Sequence, residues 1–574
     1  MASTRGVLAF VSLVSGFVLA NGHVAGAEEP SLKEQIAARN ANRFHVGADG
    51  RYRKTMCPTS PTGITCMSER IYPEGWAPGM PHPKPQAGAP TGGMTPTDIV
   101  NAYKIPAGAS AGGKIVAILD SPDSHAFNDL TAYRNAYGIT QMAKCTGLPT
   151  GSGTPCFAQV NETGGASSGT DSGGSDGETG LDMDMISAAC PDCSILLVEL
   201  DQLSDQDILT GAQTASTLKA SATSISLGGP EQGGDPTGYT TPGHLVFAAS
   251  GDFGYLLVNQ QGGGTSPSYP SSAPDIISVG GTALYNNNGV YDEGIWNDLK
   301  FGTAAVDQDV TTSGCSTEFD MPAYQTKALA ATTCTKRGTA DVSAAATFFS
   351  GTTEQAINIY ATLPAPDGAG FFPVEGTSAS SPLLAALYVR VGISDAVSND
   401  LSWEYTHPTG FNDLGSTAYP IDSAGTATDA KTTTKCANNA LCVAMTGWDG
   451  PSGVGTPNGT ALFALAGNTS TTDGGAGDSG VNEGGTGGDD SGTTGDDSGS
   501  IVPVGDDGGQ QAFFDSGAPS GADGGGNGFG NSPPATGCSC NTPGGSSTPL
   551  EDTGLAVLAV GAFVAIGARR RNKR

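Results

Sequence analysis

Two carboxylates stand four residues apart in the stretch "ETGLDMD", residues 178–184. Residues four apart lie above one another on a helix, so Glu178 and Asp182 would share one helix face. Adjacent carboxylates cannot both ionise cheaply, and this favours a shared proton and general acid–base chemistry. A solvated acidic helix face is the alternative, and the spacing by itself leaves both open.

A serine that could act as a nucleophile occurs in "EGTSASSP", residues 375–382, directly before the helical run "LLAALYVRV". A serine at the start of a helix exposes its hydroxyl, while nearby backbone N–H groups point toward any developing oxyanion. This makes Ser378 the nucleophile candidate, and a Ser-rich helix cap is the alternative. We expect Pro382 to lie in the first helical turn, where proline is tolerated.

The segments that must position these groups alternate between strand-like and helical patterns. Strand-like runs are "KIVAILD", "CSILLVEL", "ATSISLGG", "HLVFAAS" and "DIISVGGTAL". Such alternation predicts an α/β domain, a parallel sheet flanked by helices, over residues 95–467. We expect order to begin near Met94, because residues 28–94 are rich in Pro and Gly and indicate a short pro-region or linker.

The formal net charge of −30 argues against a nucleic-acid partner, since phosphate binding needs clustered Lys and Arg. Residues 468–536 are mostly Gly, Ser, Thr and Asp, which predicts a disordered acidic linker. The chain begins with Arg5, an apolar run and Ala25-Gly26-Ala27, the pattern of a signal peptide at residues 1–27. We therefore expect an exported protein.

Residues 537–574 contain "GCSC", an apolar run "GLAVLAVGAFVAIGA" and a basic end "RRRNKR". The run is short for a full membrane span, but the basic cluster is where a cytoplasmic stop would lie. This tail resembles a MYXO-CTERM sorting signal. The resemblance implies contact with the membrane before sorting or cleavage, and display on, or release from, the cell surface.

The 12 cysteines fall in close sequential couples, which in an exported chain indicates local disulfides. Cys190 and Cys193 could instead form a redox pair, although they do not open the helix of a thioredoxin-like unit. The couples are Cys57 with Cys66, Cys145 with Cys156, Cys190 with Cys193, Cys315 with Cys334, Cys436 with Cys442, and Cys538 with Cys540.

Gly-Thr-Ser before a helix resembles two related peptidase families, the subtilisins and the sedolisins (serine-carboxyl peptidases). A subtilisin mechanism needs a histidine base in a His-Gly-Thr context, and none of the six histidines stands in one. Asp120 in "VAILDSPDSH" resembles the subtilisin acid, but without that histidine we expect a strand-end residue with a structural role.

The Glu-x-x-Leu-Asp pattern of "ETGLD" is similar to the sedolisin motif. The resemblance spans about residues 95–466 and implies that Glu178 takes the proton of Ser378 while Asp182 orients Glu178. It also implies that Asp252, in "ASGDFG", donates a hydrogen bond to the oxyanion. A carboxyl group donates only when protonated, so acid-favoured activity on polypeptides is expected.

The same resemblance implies that "SISLGG", residues 224–229, binds peptide backbone through Ser226, Leu227 and Gly228. It further implies a Ca²⁺ site and a monomeric enzyme; the ligands would be the Asp413 and Asp449 carboxylates and the Leu414, Met445 and Gly447 carbonyls. Sedolisins usually carry a longer prodomain than residues 28–94. The alternative function is a catalytically inactive surface protein that binds peptides in the same groove.

Overall fold

The computed structural model describes residues 44–468 apart from 48, 58–59, 61, 172–174, 258–264, 298–308 and 416–438. The signal peptide, the acidic linker from residue 469 onward, and the C-terminal tail with its apolar run lie outside these residues. Within the described ranges, no helix combines the length and apolar character needed to cross a membrane.

The strands, in chain order, are β1 (His45–Val46), β2 (Tyr52–Thr55), β3 (Thr65–Cys66), β4 (Glu69–Ile71), β5 (Ile115–Asp120), β6 (Ala143–Lys144), β7 (Cys156–Asn161), β8 (Ser194–Glu199), β9 (Ala220–Ile225), β10 (Leu227–Pro230), β11 (Leu245–Ala249), β12 (Phe253–Tyr255), β13 (Ser268–Tyr269), β14 (Ile277–Asn287), β15 (Val290–Ile295), β16 (Val310–Asp320), β17 (Lys336–Thr339), β18 (Val342–Ser350), β19 (Thr353–Glu354), β20 (Ile357–Leu363), β21 (Gly368–Glu375), β22 (Phe411–Asn412) and β23 (Thr456–Pro457).

The helices are α1 (Pro96–Ala102), α2 (Ala126–Ala136), α3 (Asp176–Ala189), α4 (Asp205–Thr217), α5 (Gln325–Ala328), α6 (Thr377–Val391), α7 (Ser394–Asn399), α8 (Trp403–Thr406) and α9 (Gly459–Leu465), with 3₁₀ turns at Pro408–Gly410 and Asn439–Leu441.

The main sheet has the order β19-β18-β14-β11-β9-β5-β8-β7-β6, with β15 paired to β14. All pairs from β18 to β6 are parallel. Strand β5 is buried throughout, because helices cover both faces of a parallel sheet. The predicted α/β class is confirmed, and each predicted strand-like run forms a strand.

Two helices pass through the core on one face of this sheet. Every residue of α3 is buried, and in α6 only Arg390 is not. Both pack with the inward side chains Val116 and Ile118 of β5, whereas α4 packs on the opposite face. The sheet and the buried helices thus hold the starts of α3 and α6 in fixed positions.

Regular structure begins well before Met94, contrary to the sequence-based prediction. Strand β2 pairs with β1 and β4, and β4 pairs with β21 of the main domain. Arg53 of β2 is fully buried and forms an ion pair with Glu375. These strands have two to four residues each, so their stability comes from distant partners, which local composition does not reveal.

Four predicted disulfides are confirmed: Cys57–Cys66, Cys145–Cys156, Cys190–Cys193 and Cys315–Cys334. Cys442 is also disulfide-bonded. Cys436, Cys538 and Cys540 lie outside the described residues.

Candidate active site

Ser378 is the second residue of α6 and has no solvent exposure. Its hydroxyl accepts a hydrogen bond from the Met67 N–H (3.1 Å) and donates to the Ser226 carbonyl (3.2 Å). Pro382 is the sixth residue of the helix, not in its first turn as we expected. Because proline has no N–H, the Ser378 carbonyl accepts from the Ser226 hydroxyl instead (3.2 Å).

Glu178 lies in the first turn of α3, beside Ser378. Burial raises the pKa of Glu178 to about 7, although the neighbouring hydroxyls of Ser378 and Ser68 act in the opposite direction. The Ser68 hydroxyl donates to Glu178 Oε2, while Oε1 is buried without a partner. A carboxylate with this pKa and a serine hydroxyl within reach can serve as a general base.

Asp182, one turn further along α3, is also fully buried. Burial first, and then the charge of Glu178, raises its pKa well above the usual value. The Ser226 hydroxyl contacts both Asp182 Oδ1 (2.7 Å) and the Ser378 carbonyl (3.2 Å). One hydroxyl proton cannot serve two acceptors, so this geometry fits a protonated Asp182 that donates to Ser226.

Asp252 lies between β11 and β12, opposite the start of α6. Its Oδ1 accepts from the Thr377 N–H (2.9 Å) and the Thr377 hydroxyl (2.7 Å). Burial raises its pKa well above the usual value despite these bonds, and the charges of Glu69 and Glu178 add to the effect. Because Oδ1 accepts both of these bonds, Oδ2 is the atom left to donate when the carboxyl is protonated.

Residues Thr65–Ser68, here called the cleft segment, fill the groove above Ser378. The Met67 carbonyl oxygen accepts a hydrogen bond from the Ser378 N–H (2.9 Å). A Cβ on Gly376, whose φ is +135°, would collide with that oxygen and would stand 2.9 Å from Asp252 Oδ2. The Met67 carbonyl thus lies among the donors that an oxyanion would use.

The residues predicted to bind peptide backbone hold this segment. The Ser226 carbonyl accepts from the Met67 N–H (3.0 Å). Leu227 pairs with Cys66 and Gly228 with Thr65 in an antiparallel ladder between β10 and β3. Strand addition of this kind is how extended peptides bind at a sheet edge.

Asp120 is a strand-end residue, as predicted, and it lies near the carboxyls of Asp182 and Glu178. It ends β5, is fully buried, and neither of its side-chain oxygens has a hydrogen-bond partner. Burial raises its pKa well above the usual value, and the charges of Asp182 and Glu178 contribute next. Its place at the carboxyl end of a central parallel strand was the available signal, because sites in such sheets gather there.

Two of the predicted calcium ligands, Asp413 and Asp449, lie near one another between β22 and β23. Asp413 accepts from the Gly447 N–H (2.6 Å), and buried Asp449 accepts from the Met445 N–H (2.9 Å). Burial raises the pKa of Asp449 to about 7, and the charge of Asp413 adds to the rise. Carboxylate oxygens are hard ligands that suit Ca²⁺, and here they accept hydrogen bonds from backbone N–H groups. Leu414 lies in the same loop, buried beside Ala444.

Comparison with known proteins gives this geometry a family context. Residues 161–403 match the subtilase family (Peptidase S8). Together with the parallel sheet, this match identifies a subtilisin-like fold. It supports a serine-type peptidase, the class to which the nucleophile and the donors around the Met67 carbonyl also point.

Similar proteins include kumamolisin from Bacillus sp. (strain MN-32), which is 28% identical over 399 residues, covering 66% of this chain and 64% of kumamolisin. The chain therefore matches less than two thirds of that relative. Pseudomonas sedolisin, a serine-carboxyl proteinase solved with pseudo-iodotyrostatin, is 22% identical, with a TM-score of 0.48 and coverage of 66% of this chain and 98% of sedolisin. Fervidolysin from Fervidobacterium pennivorans is 13% identical, with a TM-score of 0.33 and coverage of 63% and 44%.

The buried carboxyls predict that the protein is more stable in acid than at neutral pH. A carboxyl whose pKa is raised on folding contributes stability that is complete below its unfolded pKa and is lost as pH rises through the folded pKa. For Glu178 this loss extends from about pH 4 to about 7. Asp120→Asn removes one such group, so we expect a higher Tm than wild type at neutral pH and a smaller advantage in acid.

Thermal unfolding followed by circular dichroism from acidic to neutral pH tests this expectation. Asp201→Asn, which changes an exposed aspartate, is the matched control and should follow the wild type. A wild-type Tm that rises steadily toward neutral pH, or an Asp120→Asn curve parallel to wild type, contradicts the prediction.

Proposed function

We propose that this chain is a serine-type endopeptidase of the sedolisin kind. The observation that carries the proposal is the Met67 carbonyl, which accepts from the Ser378 N–H at 2.9 Å and lies near Asp252, while the next residue, Ser68, bonds Glu178. A peptide carbonyl held next to a serine, a carboxylate base and an acidic donor is arranged for acyl transfer.

In the proposed reaction, the Ser378 hydroxyl attacks the peptide carbonyl carbon and gives its proton to Glu178. Asp182, kept protonated by burial and by the charge of Glu178, would stabilise that carboxyl and hold it in place. The oxyanion would be stabilised by the Ser378 N–H and the protonated Asp252. Glu178 would then protonate the leaving amine, and water would hydrolyse the acyl-enzyme.

We further propose that the protein is exported, acts as a monomer on polypeptides, and is attached to the membrane by its tail until sorting or cleavage. Its disulfides support an oxidising compartment. A Ca²⁺ ion would offset the negative charge of two neighbouring carboxylates, Asp413 and Asp449. Its other ligands would be the carbonyls of Leu414, Met445 and Gly447. It would hold the loop before β23 in place.

Removing the nucleophile should abolish hydrolysis. We expect wild type to cleave casein at acidic pH, and Ser378→Ala to be slower by at least ~10⁴-fold, on the scale of nucleophile loss in such enzymes. Ser380→Ala is the matched control, since this buried hydroxyl in the same helix bonds the Ala344 carbonyl and should leave activity intact. If wild type and Ser378→Ala are equally inert yet bind peptide, the protein is instead the inactive peptide-binding type.

The role of Asp252 predicts an acid-favoured pH profile. Turnover should fall as pH rises through the raised pKa of Asp252, because the ionised form cannot donate. Asp252→Asn keeps a donor that does not titrate, so we expect it to be ~10-fold or more slower at the acid optimum. Compared with wild type, Asp252→Asn should lose a smaller share of its activity as the pH rises to neutral.

The measurement is kcat/KM on one peptide from acidic to neutral pH, with Asp201→Asn as the control. A wild-type optimum at neutral or alkaline pH would contradict this assignment, as would two profiles that fall in parallel.

The calcium proposal is tested by stability. Ligand that binds only the native state, at 100 times its Kd, raises the free energy of unfolding by about 2.7 kcal/mol. We expect added Ca²⁺ to raise the Tm of wild type but not of Asp449→Ala. Ser452→Ala is the control, because it loses a hydroxyl bonded to Asp449 but keeps the carboxylate and should keep the response. A full response in Asp449→Ala would locate the ion elsewhere.

A further inference from the structure

A second group of buried ionisable side chains lies next to the cleft segment and outside the proposed catalytic machinery. His45 is in β1, Glu69 is in β4 directly after Ser68, and Asp309 directly precedes β16. The side chains of all three are at most 8% exposed. One histidine ring nitrogen and two carboxylate oxygens lie here within 4.8 Å of one another. Three segments that are distant in sequence thus contribute atoms of the kind that bind a metal ion.

A single nitrogen atom faces both carboxylates. His45 Nε2 forms a hydrogen bond with Asp309 Oδ1 (3.1 Å) and lies 3.0 Å from Glu69 Oε2. One ring nitrogen carries at most one proton, so it cannot donate to both oxygens. Glu69 Oε2 is accordingly buried without a hydrogen-bond partner. A cation among the three atoms would contact all of them at once.

The other oxygen of each carboxylate already has a partner. The Thr55 hydroxyl donates to Glu69 Oε1 (3.5 Å), and Arg53 Nε lies 3.3 Å from Asp309 Oδ2. These contacts leave Oε2 and Oδ1 for His45, in the way that outer groups of a metal site orient its ligands. Strand β2 carries both Thr55 and Arg53, and it pairs with β1 and with β4. The backbone therefore supports the same arrangement as the side chains.

Negative charge exceeds positive charge around this group. Five carboxyl groups make ion pairs with two arginines or with His45, so the carboxyls outnumber the bases in these contacts. Burying unbalanced charge is costly, and a divalent cation would reduce the imbalance. The carboxyls are those of Asp49, Glu69, Asp309, Glu354 and Glu375, and the arginines are Arg51 and Arg53.

We propose that His45 Nε2, Glu69 Oε2 and Asp309 Oδ1 bind a Zn²⁺ ion. An imidazole with two carboxylates suits a divalent transition-metal ion, whereas Ca²⁺ takes oxygen ligands. Zinc bonds of about 2.0–2.2 Å place tetrahedral ligand atoms about 3.3 Å apart. The present contacts of 3.0 and 3.1 Å need only a small expansion to reach that spacing. Three protein ligands leave the fourth position for water.

The ion would join three segments beside the cleft. Glu69 directly follows the cleft segment, and the N–H of Val310, next to Asp309, bonds the Asp252 carbonyl (3.3 Å). Zinc would thus attach β1 to the end of the cleft segment and to the strand beside Asp252. Binding at this site does not depend on the proposed peptidase activity, and its tests use no substrate.

The first test is calorimetric titration of the full chain, prepared without a histidine tag and freed of metal by a chelator, with Zn²⁺. Burial lowers the pKa of His45, but the charges of Glu69 and Asp309 raise it well above the usual value. Zinc must displace that proton, so the titration is done at mildly alkaline pH, with excess Ca²⁺ to fill sites made of oxygen ligands alone. We expect Glu69→Gln, which keeps the side-chain size but loses the carboxylate, to bind Zn²⁺ at least ~100-fold more weakly than wild type.

His125→Asn is the matched control for this titration. His125 also faces two carboxylates, with Nδ1 3.8 Å from Asp123 and 3.6 Å from Asp171, but it is more exposed than His45. Its loss should leave the affinity for Zn²⁺ unchanged. Weaker binding in His125→Asn together with full binding in Glu69→Gln would locate the ion at His125 and overturn the proposal.

The second test locates the ion by anomalous diffraction at the zinc absorption edge from crystals soaked in Zn²⁺. We expect a peak between His45, Glu69 and Asp309. Thr55→Val keeps all three ligands but releases Glu69 Oε1, so it should bind ~10-fold more weakly, and it replaces Glu69→Gln in the titration if that variant does not fold. No binding by wild type, equal affinity in wild type and Thr55→Val, or a peak elsewhere would mean that the three side chains form ion pairs only.

Discussion

Four carboxyl groups are buried at one end of the sheet, and in the described part of the chain no salt bridge reaches any of them. They are Asp120, Glu178, Asp182 and Asp252, and each is at least 98% buried. Removing an ionised carboxylate from water costs far more than the fold can offset without a partner, so most of these groups must hold protons. The fold, its stability and its chemistry all depend on that protonation.

Under the proposed function, this constraint would allow the site to work without histidine. Glu178 has a pKa of about 7 while Asp182 stays protonated beside it, so one group can accept a proton that the other helps to retain. Burial also raises the pKa of Asp252 well above its usual value, and the protonated form would be a hydrogen-bond donor. In the proposed reaction, burial would thus suit three side chains of the same chemical class to act as base, supporting acid and oxyanion donor.

The sequence predicted the parts of the site that depend on local pattern. The four-residue spacing placed Glu178 and Asp182 on one face of a helix, and the Gly-Thr-Ser before an apolar run predicted the start of α6. It did not predict that Thr65–Ser68 fills the cleft. That segment is held by β10 and β21, which are far away in the chain, and its Pro- and Gly-rich surroundings resemble a linker. The sequence predicted Asp120 at the end of a strand, which is confirmed, but not its burial near Asp182, which exists only in the folded sheet.

The central claim is that a protonated Asp252 lies beside the Met67 carbonyl while a protonated Asp182 lies next to Glu178, and neutron diffraction from acid-grown crystals of the Ser378→Ala full chain tests it most directly. The account predicts the cleft segment in place, with the Met67 oxygen bonded to the backbone N–H of residue 378. It also predicts deuterium on Asp252 Oδ2 and on the Asp182 carboxyl. An ionised Asp252, or a Met67 carbonyl turned away from the start of α6, would contradict it.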